Sequence, residues 1–456
     1  MEKLLERLKK INKTPMHMPG HKRNTKRFSY LKGFGDIDIT EISGFDNLHN
    51  AKGVLKISME NAAKYRGADA AFYLVNGTTC GLLAAICACL NENDKVIMAR
   101  NCHKSVYNGI ELAGAEPIFV YPKQNDRYGI PGSVNPCDIA SKIEENPDTK
   151  LVIITSPTYE GVISDIEAIC REAHKKNIPV LVDAAHGAHL GFFGFCESAV
   201  HLGADICVES LHKTLPSLTQ TAVCYVSGAL VSKDRIYEKL AVFETSSPSY
   251  ILLSSIDGCI NTVNEHSEIF RDWGKSLDYF YNKAKSLKNI EILKKDSCFF
   301  DFDRSKIVIF PKNQSGEELA KTLRGENIEP EMTAPHYVIC MTGAGDTKKS
   351  LKKLLKALYK ADKKQGNINR RSFEGYGKSS AISFKTALKS EKVPCSFECA
   401  EGKISAGYVW AYPPGVPILV PGDAISRELL EKMSDYRENG TELCGDIKDS
   451  EILVIK

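Results

Sequence analysis

From residue 70 to about 226, short apolar runs rich in valine and isoleucine alternate with segments of helical periodicity, and this alternation constrains the chain more than any other feature. "DKVIMA" (94–99), "EPIFVYP" (116–122), "KLVIITSP" (150–157), "IPVLVDAA" (178–185), "ADICVES" (204–210) and "TAVCYVSG" (221–228) read as buried strands. Between several of them lie "HKSVYNGIELAG", "CDIASKIEEN" and "DIEAICREAHKKN", which carry polar faces at helical spacing. Strands alternating with helices need right-handed crossovers, hence an α/β architecture with a mainly parallel sheet covered on both faces. Ligands of such sheets bind beyond the carboxyl ends of the strands. The residues at those ends are where chemistry is expected.

After residue 227 the pattern is helical to about 288, and residues 251–287 are enough for one helix running into another. A mixed segment follows, with the strand "KIVIFP" (306–311), the helix "GEELAKTLRGEN" (316–327) and the very basic helix "TKKSLKKLLKALYKADKKQG" (347–366), whose charges suit a solvated face. The chain of 456 residues exceeds the roughly 250 to 300 at which a single core stops growing. The expected division is an N-terminal arm (1–45), a large domain (46–288) and a smaller C-terminal α+β region (289–456), with a sub-boundary near 364–380 where charge and turn residues gather.

A net charge of +3 leaves no electrostatic footprint for nucleic acid. The opening "MEKLLERLKK" is charged and helical and lacks the apolar core of a signal peptide, and no run of about 18 apolar residues suggests a membrane span. A cytoplasmic protein with neither nucleic-acid nor membrane partners is expected. The fifteen cysteines are scattered, many in apolar contexts such as "AAICACL", and an odd count in a long intracellular chain argues against a disulfide framework. "CSFEC" (395–399) lacks the second cysteine or histidine pair of a zinc site, so no metal is expected there.

Several strand ends carry groups of one chemical character. In "VESLHKTLPSLTQTA" (208–222) Lys213 follows Ser210 and His212. Such a lysine is either a solvated charge or, if buried with a lowered pKa, an amine that forms Schiff bases with aldehydes, while neighbouring hydroxyls bind phosphate. Pyridoxal phosphate has both groups. In "FYLVNGTTCGLLAAICACL" a strand-like run meets Asn76 and Gly77, and Thr78 and Thr79 then open a small apolar helix, which suits either a phosphate site or an ordinary N-cap. The strand "IPVLVDAAHGAH" ends in Asp183, whose burial would call for a cation such as a protonated pyridine nitrogen. His186 and His189, in a glycine-containing loop, give weak support for a metal. His103 in "MARNCHKSVYNGI" offers a flat ring for stacking, or a polar helix cap. Asp183 precedes Lys213 by 30 residues, which puts both at carboxyl ends of strands on one side of the sheet.

The motifs "HMPGHK" (17–22), "NGTTCG" (76–81), "RNCHKS" (100–105), "TSPTYEGVISDI" (155–166), "VDAAHGAH" (182–189), "ESLHKTLPSLTQTA" (209–222) and "YPPGVPILVPGD" (412–423) together resemble the bacterial ornithine/lysine/arginine decarboxylases in their short form. The resemblance runs over nearly the whole chain and implies the aspartate-aminotransferase fold, with a mainly parallel sheet of the seven-stranded type and pyridoxal phosphate as cofactor. It makes Lys213 the Schiff-base lysine, Asp183 the partner of the pyridine nitrogen and His103 the ring-stacking histidine. Thr78, Thr79, Ser210 and His212 match phosphate ligands, and His186 lies beside the ring where some long-form members have tryptophan. Asp423 departs from the glutamate common in the family, which bears on substrate details more than on the cofactor.

The implied reaction is decarboxylation of a basic amino acid to its amine, with arginine the first choice, then lysine, then ornithine, and a role in making polyamines. Lys213 and His103 are candidates for returning a proton to the α-carbon. A basic substrate needs an acid for its distal cation, and "DIDITEISGFDN" (36–47) supplies Asp36, Asp38, Glu41 and Asp46, which otherwise serve as loop and cap carboxylates. Sites of this fold lie at a dimer interface, so a homodimer or larger homo-oligomer with shared sites is expected, with "ETSSPSY" (244–250) a candidate to complete the partner's phosphate site. An aminotransferase or β-eliminating lyase would share the cofactor residues. The former needs an arginine on the α-carboxylate, for which Arg324, Arg370, Arg371, Arg427 and Arg437 are available. A non-catalytic cofactor-binding regulator is the remaining alternative.

Overall fold

The computed structural model describes residues 3–364, 381–438 and 440–456. Its centre is a seven-stranded sheet: β1 (Ala70–Leu74), β2 (Lys95–Ala99), β3 (Glu116–Val120), β4 (Thr149–Thr155), β5 (Val180–Asp183), β6 (Ile206–Ser210) and β7 (Ala222–Val226). The strand order is β1-β7-β6-β5-β4-β2-β3. Strands β2 to β6 run parallel, and β7 runs antiparallel to both neighbours. The exception has a local cause. Only residues 211–221 join β6 to β7, fewer than the dozen or so a parallel crossover needs, so the chain turns straight back. Lys213 stands in that return.

The strands are buried almost throughout, in keeping with their continuous apolar runs. Helices α1 (Leu4–Lys9) and α2 (Val54–Arg66) precede the sheet, and α3 (Gly77–Cys89), α4 (Lys104–Ala113), α5 (Pro136–Glu145) and α6 (Ile166–His174) join its strands. A β-carbon on Gly81 of α3 would stand 2.6 Å from Leu74 and 2.9 Å from Val208. The glycine thus lets α3 lie close on β1 and β6, with its first turn beside Ser210.

The helical stretch after β7 comprises Lys233–Phe243, Tyr250–Glu265 and Glu268–Ala284. The last two are the two helices expected from residues 251–287, and they part at His266 and Ser267. An antiparallel sheet then forms from Ile290–Ile292, Lys306–Pro311, Val338–Met341 and Met332–Thr333. The basic helix is Lys348–Ala361. It buries Leu351, Leu354, Leu355 and Leu358, while Lys353 and Lys360 reach the Asn327 carbonyl and Glu326. Ile290, Ile307, Leu319 and Leu358 join the main core, whereas Leu419, Leu429, Met433, Ile452 and Val454 form a separate cluster. The sub-boundary at 364–380 lies, beyond its first residue, outside the described residues, as do Arg370 and Arg371. Among the described residues no helix is long and apolar enough to cross a membrane.

Candidate active site

A cleft of about 290 Å³ opens beyond the carboxyl ends of the parallel strands, lined by Thr78, His103, Asp183, His186 and Lys213 among others. Lys213 lies in the single turn Leu211–Thr214, and its Nζ is 2.9 Å from His186 Nε2. Burial lowers its pKa, while Asp183 and Glu331 act in the opposite direction. An amine displaced toward its neutral form is a nucleophile for a carbonyl carbon.

Asp183 ends β5 and pairs in register with Val208 of β6, which brings it beside the Lys213 turn. It is 2 % exposed, and its Oδ1 accepts the Ala185 N–H at 3.1 Å. Burial raises its pKa and Lys213 lowers it. His186 is buried, its Nδ1 has no hydrogen-bond partner, and its ring meets Tyr159 edge-on at 4.9 Å. Burial and then Lys213 push its pKa well down, so the ring is neutral. His189 is turned away, to Asp303 Oδ1 at 3.1 Å, so the two histidines do not share a ligand position.

His103 is the helix cap considered for it and also lines the cleft. Its Nδ1 caps α4 by accepting the Ser105 N–H at 3.2 Å, and its ring still faces the cleft. Burial, followed by Lys213 and Lys104, holds its pKa down at about 4. Gly415, at φ +81°, backs the ring, where a β-carbon would stand 2.9 Å from Nε2.

The four expected phosphate ligands separate. Thr78 lines the cleft, and its hydroxyl is 3.2 Å from that of buried Ser210. Thr79 is exposed on the next position of α3, and His212 Nδ1 contacts the Thr221 carbonyl at 3.0 Å; neither lines the cleft. Asn76 makes no side-chain cap to α3, which leaves the first-turn amides without that partner. The "ETSSPSY" segment sits next to this turn in the same chain: Glu244 accepts the Val75 N–H at 2.7 Å, and the Thr245 N–H points to Asn76 Oδ1 at 3.5 Å.

None of the four arm acids lines this cleft. Asp36 accepts from the Thr25 hydroxyl and the Gly33 N–H, and Asp38 meets His21 Nε2 at 3.1 Å. Asp46 gathers the backbone N–H groups of Asn47, Lys52, Gly53, Leu55 and Lys56, the work of a loop carboxylate. Glu41 alone keeps a buried oxygen without a hydrogen bond. Two other acids enter the cleft: Glu331, which accepts from the Tyr159 hydroxyl at 2.7 Å, and buried Glu160. Glu160 lies just past the end of β4, where a strand-end search could have found it. Glu331 comes from the C-terminal region, and no local signal links it to the site. Lys432 and Tyr436 reach the cleft from the helix Arg427–Glu438 in the same way.

Asp423 does not line the cleft. Its Oδ2 takes the Arg100 Nη2 hydrogen bond at 2.7 Å and the Val420 N–H at 3.1 Å, with both side chains fully buried. The aspartate in place of glutamate ties the C-terminal motif to the end of β2, away from the cleft. Arg324, Arg427 and Arg437 bond to Glu329, Glu431 and Ser450, and none lines the cleft.

A half-buried lysine and a buried aspartate at neighbouring strand ends of this sheet are the arrangement of a pyridoxal-phosphate enzyme of fold type I. The model of the Orn/Lys/Arg decarboxylase major domain matches residues 2–310, and that of the C-terminal domain of the same family matches residues 372–444. The arginine decarboxylase of Bacillus anthracis is 32 % identical over 96 % of this chain and 92 % of its own length, and that of Halalkalibacterium halodurans 31 % over 97 % and 94 %. In fold the chain is similar to the Francisella novicida lysine decarboxylase, with a TM-score of 0.83 at 18 % identity, covering 99 % of this chain and 81 % of that one. The chain belongs to the Orn/Lys/Arg decarboxylase family, and the protein is a decarboxylase.

Proposed function

We propose that the protein decarboxylates a basic amino acid, arginine first, then lysine and ornithine, with pyridoxal phosphate held by Lys213, Asp183, His103, His186, Thr78 and Ser210. The observation that carries this reading is the half-satisfied cluster at the strand ends. A buried aspartate has no ion-pair partner among the described residues, a buried His186 Nδ1 has no hydrogen-bond partner, and the Lys213 amine, its pKa lowered by burial, lies 2.9 Å from His186 Nε2. Such groups are costly to leave alone, and the cofactor answers each with a ring cation, polar ring substituents and an aldehyde. When bound, pyridoxal phosphate supplies a carbonyl for amines and a ring that accepts the electron pair left by carbon dioxide.

The chain's own residues do the rest. Asp183 places a carboxylate where a ring proton must be held, and its Ala185 hydrogen bond fixes its direction. His103, neutral and backed by Gly415, presents a flat face without adding positive charge. Thr78 and Ser210, with the first amides of α3, suit a phosphate at a helix N-terminus. Lys213 Nζ, within hydrogen-bond distance of neutral His186, has a partner with which to exchange a proton, which fits it for returning one to the α-carbon. Glu331, whose charge acts on Lys213, is a carboxylate that favours the charged form of the reacting amine. Similarity to arginine decarboxylases over nearly the whole chain supports arginine. We also propose the cytoplasm as its location and a homodimer as the active unit.

The test is incubation of the cofactor-loaded protein with each basic amino acid, reading carbon dioxide and amine. Agmatine from arginine with matching carbon dioxide is expected. Consumption of a keto acid without carbon dioxide would replace this reading with transamination.

A further inference from the structure

Among the described residues eight carboxylates are buried: Glu160, Asp183, Asp205, Glu209, Glu244, Asp257, Asp303 and Asp423. Four have basic partners, namely His174, Arg66, His189 and Arg100 for Asp205, Glu209, Asp303 and Asp423. Among the other four, Glu244 and Asp257 accept the backbone N–H groups of Val75 and Leu4 and do not line the cleft. Asp183 and Glu160 both open on the cleft, and neither has an ion-pair partner among the described residues. Asp183 faces the proposed cofactor. The second carboxylate calls for a second cation.

Glu160 is 7 % exposed. Its Oε2 accepts from the Thr158 hydroxyl at 3.0 Å and its Oε1 from the Tyr337 hydroxyl at 3.3 Å, so two hydroxyls orient it and acceptor positions remain open. Burial raises its pKa, and only hydrogen bonds, no cation, act against that. Glu160 acts on the titration of Tyr436, while Glu331 acts on that of Lys213. Both acids also act on the titration of Tyr159, whose hydroxyl hydrogen-bonds Glu331, so what separates them is burial and orientation. Glu331 is exposed, whereas Glu160 is desolvated. Lys432 lines the same cleft, and burial lowers its pKa.

We propose that Glu160, preset by Thr158 and Tyr337, is the specificity carboxylate that receives the distal cation of the substrate inside the cleft of one chain. The proposal rests on the reading of the protein as a basic-amino-acid decarboxylase. A buried, oriented carboxylate suits a planar guanidinium, which offers paired N–H donors. It discriminates strongly against a neutral side chain of the same shape, because that ligand would leave the charge buried and unpaired.

The test compares the parent with Glu160→Gln and Glu160→Asp, using arginine and its neutral isostere citrulline as substrates and agmatine as an equilibrium ligand measured by calorimetry. In Glu160→Gln, kcat/KM for arginine should fall about 100-fold or more, mostly through KM, and citrulline by less than about tenfold. Agmatine binding should weaken by a similar factor, Glu160→Asp should recover part of the loss, and the cofactor's visible absorption should be unchanged. Equal losses for arginine and citrulline, or an unchanged KM for arginine, would overturn the assignment. If the parent turns over no basic amino acid, the functional reading fails, and the agmatine arm still decides Glu160: weaker binding in Glu160→Gln supports the cation site, and equal binding removes it.

Discussion

At position 183 an amide would keep the shape of the aspartate and its contact with the Ala185 N–H while removing the charge. For Asp183→Asn the cofactor should still bind, as read by absorption, and decarboxylation should fall by several orders of magnitude. A rate within about tenfold of the parent would mean less than roughly 1.4 kcal/mol lost from the transition state, too little for an anion that holds a ring proton. Asp183 and Lys213 were legible because burial at a strand end makes a charged residue expensive unless a ligand needs it, and the strand pattern showed where those ends fall. Thr79 was harder to place. It follows Thr78 by about 100° of helix, and the structure leaves Thr79 exposed outside the cleft lining. Among the arm acids, Asp46 carries the same residue type as a substrate anchor but gathers five backbone amides, which only the folded loop reveals.

The elements were legible where the period was clean. All six quoted runs are strands, and the antiparallel β7 follows from the length of the link before it. What periodicity does not carry is the docking of one element on another, which is why Glu331, Lys432 and the Arg100–Asp423 tie appear only in the fold. The junction between β1 and α3 shows such docking in Glu244, which accepts the Val75 N–H just before the helix that opens with Thr78. Burial pushes the Glu244 carboxyl up from 4.5 to about 7. Between those values the native protein holds a proton that the unfolded chain lacks, so this group's contribution to stability is present in full below pH 4.5 and is lost as pH rises through 7. The stability advantage of the parent over Glu244→Gln should fall by roughly 3 kcal/mol from pH 4.5 to 8, as measured by urea unfolding at each pH. A difference that stays constant with pH would show that the carboxyl is ionised throughout.

For the molecule as a whole the open question is what covers the N-terminal arm. Met16 is 89 % exposed, Tyr30 75 % and Met18 64 %, and large apolar side chains grouped in one segment mark a surface meant for contact. Of the arm acids, Asp36 and Asp46 are tied into their own loops, while Glu41 keeps a buried oxygen without a partner and Asp38 meets only a histidine. If the arm reaches a second copy, Asp38 and Glu41 are the acids free to act there. The expected outcome is a homodimer by sedimentation, in which Lys213→Ala and the double variant Asp38→Asn, Glu41→Gln are each inactive or nearly so. Mixed and allowed to exchange subunits, they should regain activity, because a mixed dimer with shared sites has both defects in one site and neither in the other. Verified exchange without recovery, or full activity of the double variant alone, would show that each site is built within one chain. The arm would then serve assembly only, leaving Glu160 to receive the distal cation with no acid of a second copy beside it.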